Sequence, residues 1–218
     1  MSAGDLRART IAAVRAHPSK TRRAFRVRAL LLMAGSVAGS LAMFLYVGGL
    51  RAGPRPASLL VGTLVGALII SVLSMFVGTY RGSSMLPRPS WQLAILVALV
   101  PAALFAWKAG WSAHYPGMMA DWPERPGLRC FLLTLAIGIG PLASLVLLSR
   151  NSLPVRPGLV GGVMGTLVGA AAWVFLELWC PVAYPRHLVI GHVVPALVLA
   201  VIGAILGRRV MAMGNAPN

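Results

Sequence analysis

Long runs of apolar positions, separated by short polar breaks, fill almost the whole chain. Six stand out, at residues 29–49, 57–79, 91–110, 130–148, 158–178 and 187–207. A helix rises about 1.5 Å per residue, so about 20 apolar residues match a hydrocarbon core of about 30 Å. The pattern predicts an all-α fold, a polytopic transmembrane bundle of six helices. The breaks, such as 51–56 and 150–157, are rich in Pro, Gly and Arg. Three segments follow: a basic tail with a short amphipathic helix over 1–28, the transmembrane domain over 29–207, and a C-terminal tail over 208–218. The first run follows positive charge, as a secretory signal would. Its apolar stretch is too long for a signal core and no small-residue cleavage site follows cleanly, so it reads as an uncleaved anchor. Outside the runs, the longest segments are the tail and the loop 111–129, too short for a soluble catalytic domain.

Composition sharpens this picture. Hydrophobic residues make up 58% of the chain and charged residues 11%, too few to coat a soluble domain of 218 residues. The formal charge of +16 is unevenly placed. Arg7, Arg9, Arg15, Lys20, Arg22, Arg23, Arg26 and Arg28 precede the first run. Arg81, Arg88, Arg150, Arg156, Arg208 and Arg209 fall on the same side of the bundle. The opposite side has Arg51, Arg55, Lys108, Arg125, Arg129 and Arg186, diluted by Asp121, Glu124 and Glu177. Basic residues near span ends mark the cytoplasmic face. Both termini are therefore expected in the cytoplasm, with the basic run from Lys20 to Arg28 available to anionic headgroups.

The tail divides at Pro18. Before it, Leu6, Thr10, Ala13 and Val14 share one helical side and Arg7 and Arg15 the other, with Ile11 off the apolar face. Such an element suits docking of a partner, with Leu6, Ile11 and Val14 as the candidate contacts. Within the spans, glycines recur at helical spacing, most fully at Gly161, Gly165 and Gly169. Small residues four apart let helices approach closely in lipid, so this fifth span is expected at the centre of the bundle. Pro101, Pro141 and Pro195 interrupt three spans, which is tolerated where neighbours satisfy the freed carbonyls.

Ionisable groups inside spans are costly and usually mark transport or proton relays. Lys108 and Glu177 lie near span ends, from which they are expected to reach the interface. His192 sits deeper and alone, and is expected to bond a neighbouring carbonyl. The cysteines carry a stronger signal. Cys130 opens the fourth span and Cys180 closes the fifth, so antiparallel neighbours bring both to one surface. A structural disulfide, a redox-responsive thiol pair and a thiolate metal site all fit that placement. The metal reading recruits His187 or His114; otherwise no metal and no cofactor is expected. His187 and His192 are five apart, about 140° around an α-helix, and do not chelate as a pair by themselves.

The stretch Arg129-Cys130-Phe131-Leu132-Leu133 with Pro141, then 150–157, then Gly158 to Gly169 and Cys180-Pro181, resembles the NrsF family of six-span membrane anti-sigma factors. Gly203 to Gly207 followed by Arg208-Arg209 is similar to the family's closing segment. The resemblance covers about residues 125–210, and the first half matches in topology. In size and span count the chain also resembles CarR-like light-responsive regulators of carotenoid genes. The resemblance implies that the tail holds an extracytoplasmic-function sigma factor at the membrane and releases it on a stress or light signal. The family's functional cysteines carry over onto Cys130 and Cys180. No direct nucleic-acid binding and no enzyme activity are implied. Because a sigma factor's DNA surface is itself basic, docking by this basic tail must be apolar or aimed at an acidic patch. A membrane thiol-disulfide oxidoreductase is the alternative, weakened by the lack of a Cys-x-x-Cys pair. A small-solute transporter comes after it, weakened by the scarcity of buried charge.

Overall fold

The structure, a computed structural model, describes Asp5 and residues 22–47, 55–79, 89–118, 127–150 and 154–211. Leu6, Ile11 and Val14 lie outside the described residues. The helices are α1 (Arg22–Tyr46), α2 (Ala57–Thr79), α3 (Ser90–Ser112), α4 (Leu128–Leu148) and α5 (Pro157–Trp179). The last rod has three parts: α6 (Pro185–Leu188), a π-turn (Val189–Val193) and α7 (Val194–Met211). The fold is all-α, as the apolar periodicity predicts. Five helices are long and apolar enough to cross a membrane, counting Pro185–Met211 as one, and Leu30–Tyr46 within α1 is a shorter apolar helix.

Local chemistry sets the boundaries. Pro157 and Pro185 open their helices at positions where the missing N–H costs nothing. Gly127, with φ of 95°, makes the sharp entry into α4. Large apolar side chains cover the outside of the bundle, among them Leu30, Phe76, Leu99 and Val201, each more than half exposed. An apolar exterior of that extent suits lipid contact.

The core centres on α5, whose most apolar window is 67% buried against 44% or less for the other candidate spans. Glycine makes that possible. A methyl group at Gly161 would overlap the Gly203 carbonyl of α7, and one at Gly165 would overlap the Leu199 carbonyl. At Gly169 it would lie 2.9 Å from the Ala196 Cβ. Thus α5 and α7 pack backbone to backbone. The α2–α3 pair uses glycine differently: Gly62 and Gly66 leave room for Trp111 and Trp107, and the Trp107 indole N–H donates to the Gly62 carbonyl at 3.0 Å.

Helix α1 stands apart, lying mainly against α4. Among its described side chains only Ser40 and Phe44 are buried. Ser40 answers a need created by Pro141. Proline has no N–H, so the Ile137 carbonyl four residues earlier loses its helical donor. The Ser40 hydroxyl donates to that carbonyl at 2.7 Å.

Candidate thiol and imidazole site

Two close backbone devices bring the cysteines together. Cys130 lies in the first turn of α4, which rests on the π-turn of the last rod. A methyl added at Gly191 would come 3.0 Å from both the Cys130 Cβ and the Gly127 carbonyl oxygen, so glycine is needed for this contact. Cys180 follows the last residue of α5, where helix carbonyls lack N–H partners. Arg55 supplies them. Its guanidinium donates to the carbonyls of Glu177 at 2.8 Å, Leu178 at 2.8 Å and Cys180 at 3.3 Å. A cation at the negative end of the helix dipole is favourable as well. Burial lowers the Arg55 pKa from its ordinary value, Glu177 and Cys180 pull it back, and the guanidinium remains charged.

Both thiols are buried and free. The Nε2 atom of His187 faces both, 3.4 Å from Cys130 Sγ and 3.2 Å from Cys180 Sγ. His192 completes the group: one ligand atom from each of the four residues lies within 4.8 Å of all the others. His187 and His192, not expected to chelate as a pair by themselves, thus stand in one group with the two thiols. The expected 140° assumes an α-helix, whereas the intervening residues form a π-turn in which Val194 N–H bonds to Val189 O, five residues back. The wider turn brings the two imidazoles to a centroid separation of 5.7 Å. His192 is 1% exposed, and neither ring nitrogen makes a hydrogen bond to a described residue, so the expected carbonyl bond is not formed. Its ring instead packs on Trp173, centroids 4.9 Å apart. His114 is elsewhere: it is exposed at the end of α3, its Nδ1 3.2 Å from the Trp111 carbonyl.

Lys108 and Glu177 also correct their expected placement. Both are buried inside the bundle instead of exposed at its edge. They are 4% and 1% exposed and form an ion pair of 2.9 Å linking α3 to α5. The second Glu177 oxygen accepts the Trp173 indole N–H at 2.7 Å. The same Trp173 ring touches His192, so this ion pair borders the thiol–imidazole group.

The donor set fits a thiophilic cation. Tetrahedral zinc-like sites have metal–sulfur and metal–nitrogen bonds of about 2.3 and 2.0 Å, which space neighbouring donors by roughly 3.3–3.8 Å. Both sulfur-to-His187 distances fall near that range, and closing the rest takes about 1 Å of contraction. Two thiolates and two neutral imidazoles also balance a divalent charge, an advantage in a buried setting.

Comparison with known proteins settles the family. The family model described as NrsF, negative regulator of sigma F, matches residues 13–212. The chain belongs to the NrsF family. No curated protein and no solved structure matches it. The family match therefore extends well beyond 125–210, and into the tail as far as Ala13, so that it takes in Val14 but not Leu6 or Ile11. The family's description is negative regulation of a sigma factor, which favours that reading over the oxidoreductase and transporter alternatives. What sequence reasoning missed in this NrsF protein is the contribution of His192, Arg55 and the Lys108–Glu177 pair. For His192 a signal existed: Pro195 cannot bond the Gly191 carbonyl, and such a gap favours a local π adjustment. For the ion pair it was two opposite charges at one depth in separate spans.

Proposed function

We propose that this protein is an inner-membrane anti-sigma factor, both termini cytoplasmic, whose tail holds an extracytoplasmic-function sigma factor. Binding of a thiophilic divalent cation by Cys130, Cys180, His187 and His192 releases it. One observation carries the reading: four buried donors of the soft and borderline type converge within 4.8 Å, and one of them, His192, has no other hydrogen bond among the described residues. Membership of NrsF supports the output, and the charge asymmetry supports placing the group on the oxidising side.

Cadmium is the test ion because its bonds to thiolate absorb in the ultraviolet. The full chain in detergent should bind one cadmium ion with that absorption, and cadmium should induce the sigma-dependent promoter in cells. Cys130→Ser and His192→Ala should abolish both. Induction that survives in Cys130→Ser, with normal membrane levels, sinks this assignment of the input.

A second reading has its own support. Two thiols, two imidazoles and the Trp173 indole adjoin one another, and all are groups that a photochemically formed oxidant attacks. Light control of carotenoid genes would then run through that oxidant, with Cys130 and Cys180 losing two electrons and two protons to it as a disulfide forms. Non-reducing gels after illumination with a photosensitiser, with and without prior cadmium, separate the two inputs.

A further inference from the structure

The proposed input lies at one end of the bundle, and the tail that it must control leaves from the other end of α1. We infer that α1 is the output lever, coupled to the thiol–imidazole group by a latch in which Ser40 holds the carbonyl that Pro141 frees and Phe44 packs into the cluster that contains Cys130. The latch rests on the functional reading above, but its parts are independent of what the ligand is.

Helix α4 divides at Pro141. Below it, Leu142 and Val146 are locked into a cluster with Val168 of α5 and Leu199 of α7. Above it, the segment from Leu128 carries Cys130, Leu133 and Ile137 into the cluster that contains Cys180 and Tyr184. A helix interrupted by proline bends at that point more easily than elsewhere. Closing four donors by about 1 Å around a cation pulls Cys130 and the upper α4 segment relative to the fixed lower one. Ile137 carries the carbonyl that Pro141 leaves without its helical donor, and it is the one that Ser40 holds.

Among the described side chains, the buried attachment of α1 is confined to this region. Ser40 and Phe44 are its only buried side chains among the described residues, and Leu30, Leu31, Val37, Leu41 and Leu45 are exposed. Phe44 belongs to the same cluster as Cys130 and Cys180, and its ring lies 5.7 Å from that of Phe175. Next to the break, a methyl at Gly140 would meet the Ser36 Cβ at 3.8 Å, so small residues line the crossing on both sides. The latch can also open at low cost to α1. The Ser40 hydroxyl lies 3.0 Å from the Ser36 carbonyl of its own helix and can turn to it. Motion of upper α4 is therefore transmitted through two side chains, the only buried ones of α1 among the described residues, and so to the tail.

The test uses Ser40→Ala, Pro141→Ala and their combination in the full chain. Alanine at 141 restores an N–H for Ile137, so Ser40 is no longer needed there. Each single variant should bind cadmium within about twofold of wild type yet lose promoter induction by about tenfold or more. The double variant should lose no more, since both remove one contact. Ser36→Ala is the control, because Ser36 donates only within α1, to the Met33 carbonyl at 2.9 Å; it should induce normally. Normal induction in Ser40→Ala, or additive losses in the double variant, overturns the latch. Loss of cadmium binding in Ser40→Ala would also overturn it, by making Ser40 part of the site. A wild-type chain that binds no cadmium sinks the metal reading instead. Hydrogen exchange of α1 then decides the latch without any ligand. Faster exchange over 30–47 in Ser40→Ala than in Ser36→Ala upholds it, and equal exchange overturns it.

Discussion

Helices α5 and α1 solve the problem of membrane packing in opposite ways. Helix α5 touches its neighbour α7 through backbone, at glycines where no added methyl fits. Helix α1, among its described side chains, buries only one hydroxyl and one aromatic ring, those of Ser40 and Phe44. Lipid gives helices no hydrophobic reason to associate, so contact area and polar bonds decide how firmly each is held. The first arrangement makes a fixed frame. The second leaves a helix whose position depends on two residues, which is what a regulator needs where it must move something.

The contrast can be broken at several places, and the expected losses are graded. Gly161→Leu should be the most damaging, because a side chain there meets the Gly203 carbonyl with no side chain to yield. We expect little protein in the membrane fraction, with a loss above about 4 kcal/mol as in severe core disruption. Glu177→Gln comes next. It leaves Lys108 buried without its counter-charge, at a cost of about 3–5 kcal/mol, whereas Lys108→Met with Glu177→Leu should recover most of the melting temperature in detergent. Arg55→Gln should cost less, about 1–3 kcal/mol, by uncapping α5 at Cys180, and should weaken cadmium binding more than it lowers thermal stability. The cysteines sharpen the comparison at the input: Cys130→Ser and Cys180→Ser should each abolish induction as fully as the double variant, since one shared site is lost either way. Val37→Leu on the exposed face of α1 should change stability by under about 0.5 kcal/mol and leave induction intact. A clear effect there would mean that α1 has a partner on that face.

Sequence reading reached the six helices and the central place of the fifth because both depend on regular spacing: long apolar runs, and glycines four apart in α5. It placed Cys130 and Cys180 at one end from helix direction alone, and the structure finds them in one buried cluster. It failed where a local departure from α geometry decided the outcome. The π-turn rotates His192 into the group, and nothing in the periodicity of 187–207 announces that rotation. It also failed for Lys108 and Glu177, since each was weighed against lipid and interface, not against the other. Pair formation between distant spans is a property of the assembled bundle. The role of Ser40 was half legible: Pro141 advertised a carbonyl in need of a donor, but the sequence did not say which helix would supply it.

The Lys108–Glu177 pair has a consequence for how the protein is made. Lys108 enters the membrane with α3, well before the ribosome has delivered Glu177 near the end of α5. For that interval the nascent chain holds an uncompensated cation at the edge of its third span, which favours delayed release of α3 from the insertion machinery or a shallow first position. Arrival of α5 then neutralises the charge and draws α3 into place. The α3–α5 contact thus forms only once the central helix has appeared, and the last rod, Pro185–Met211, follows it.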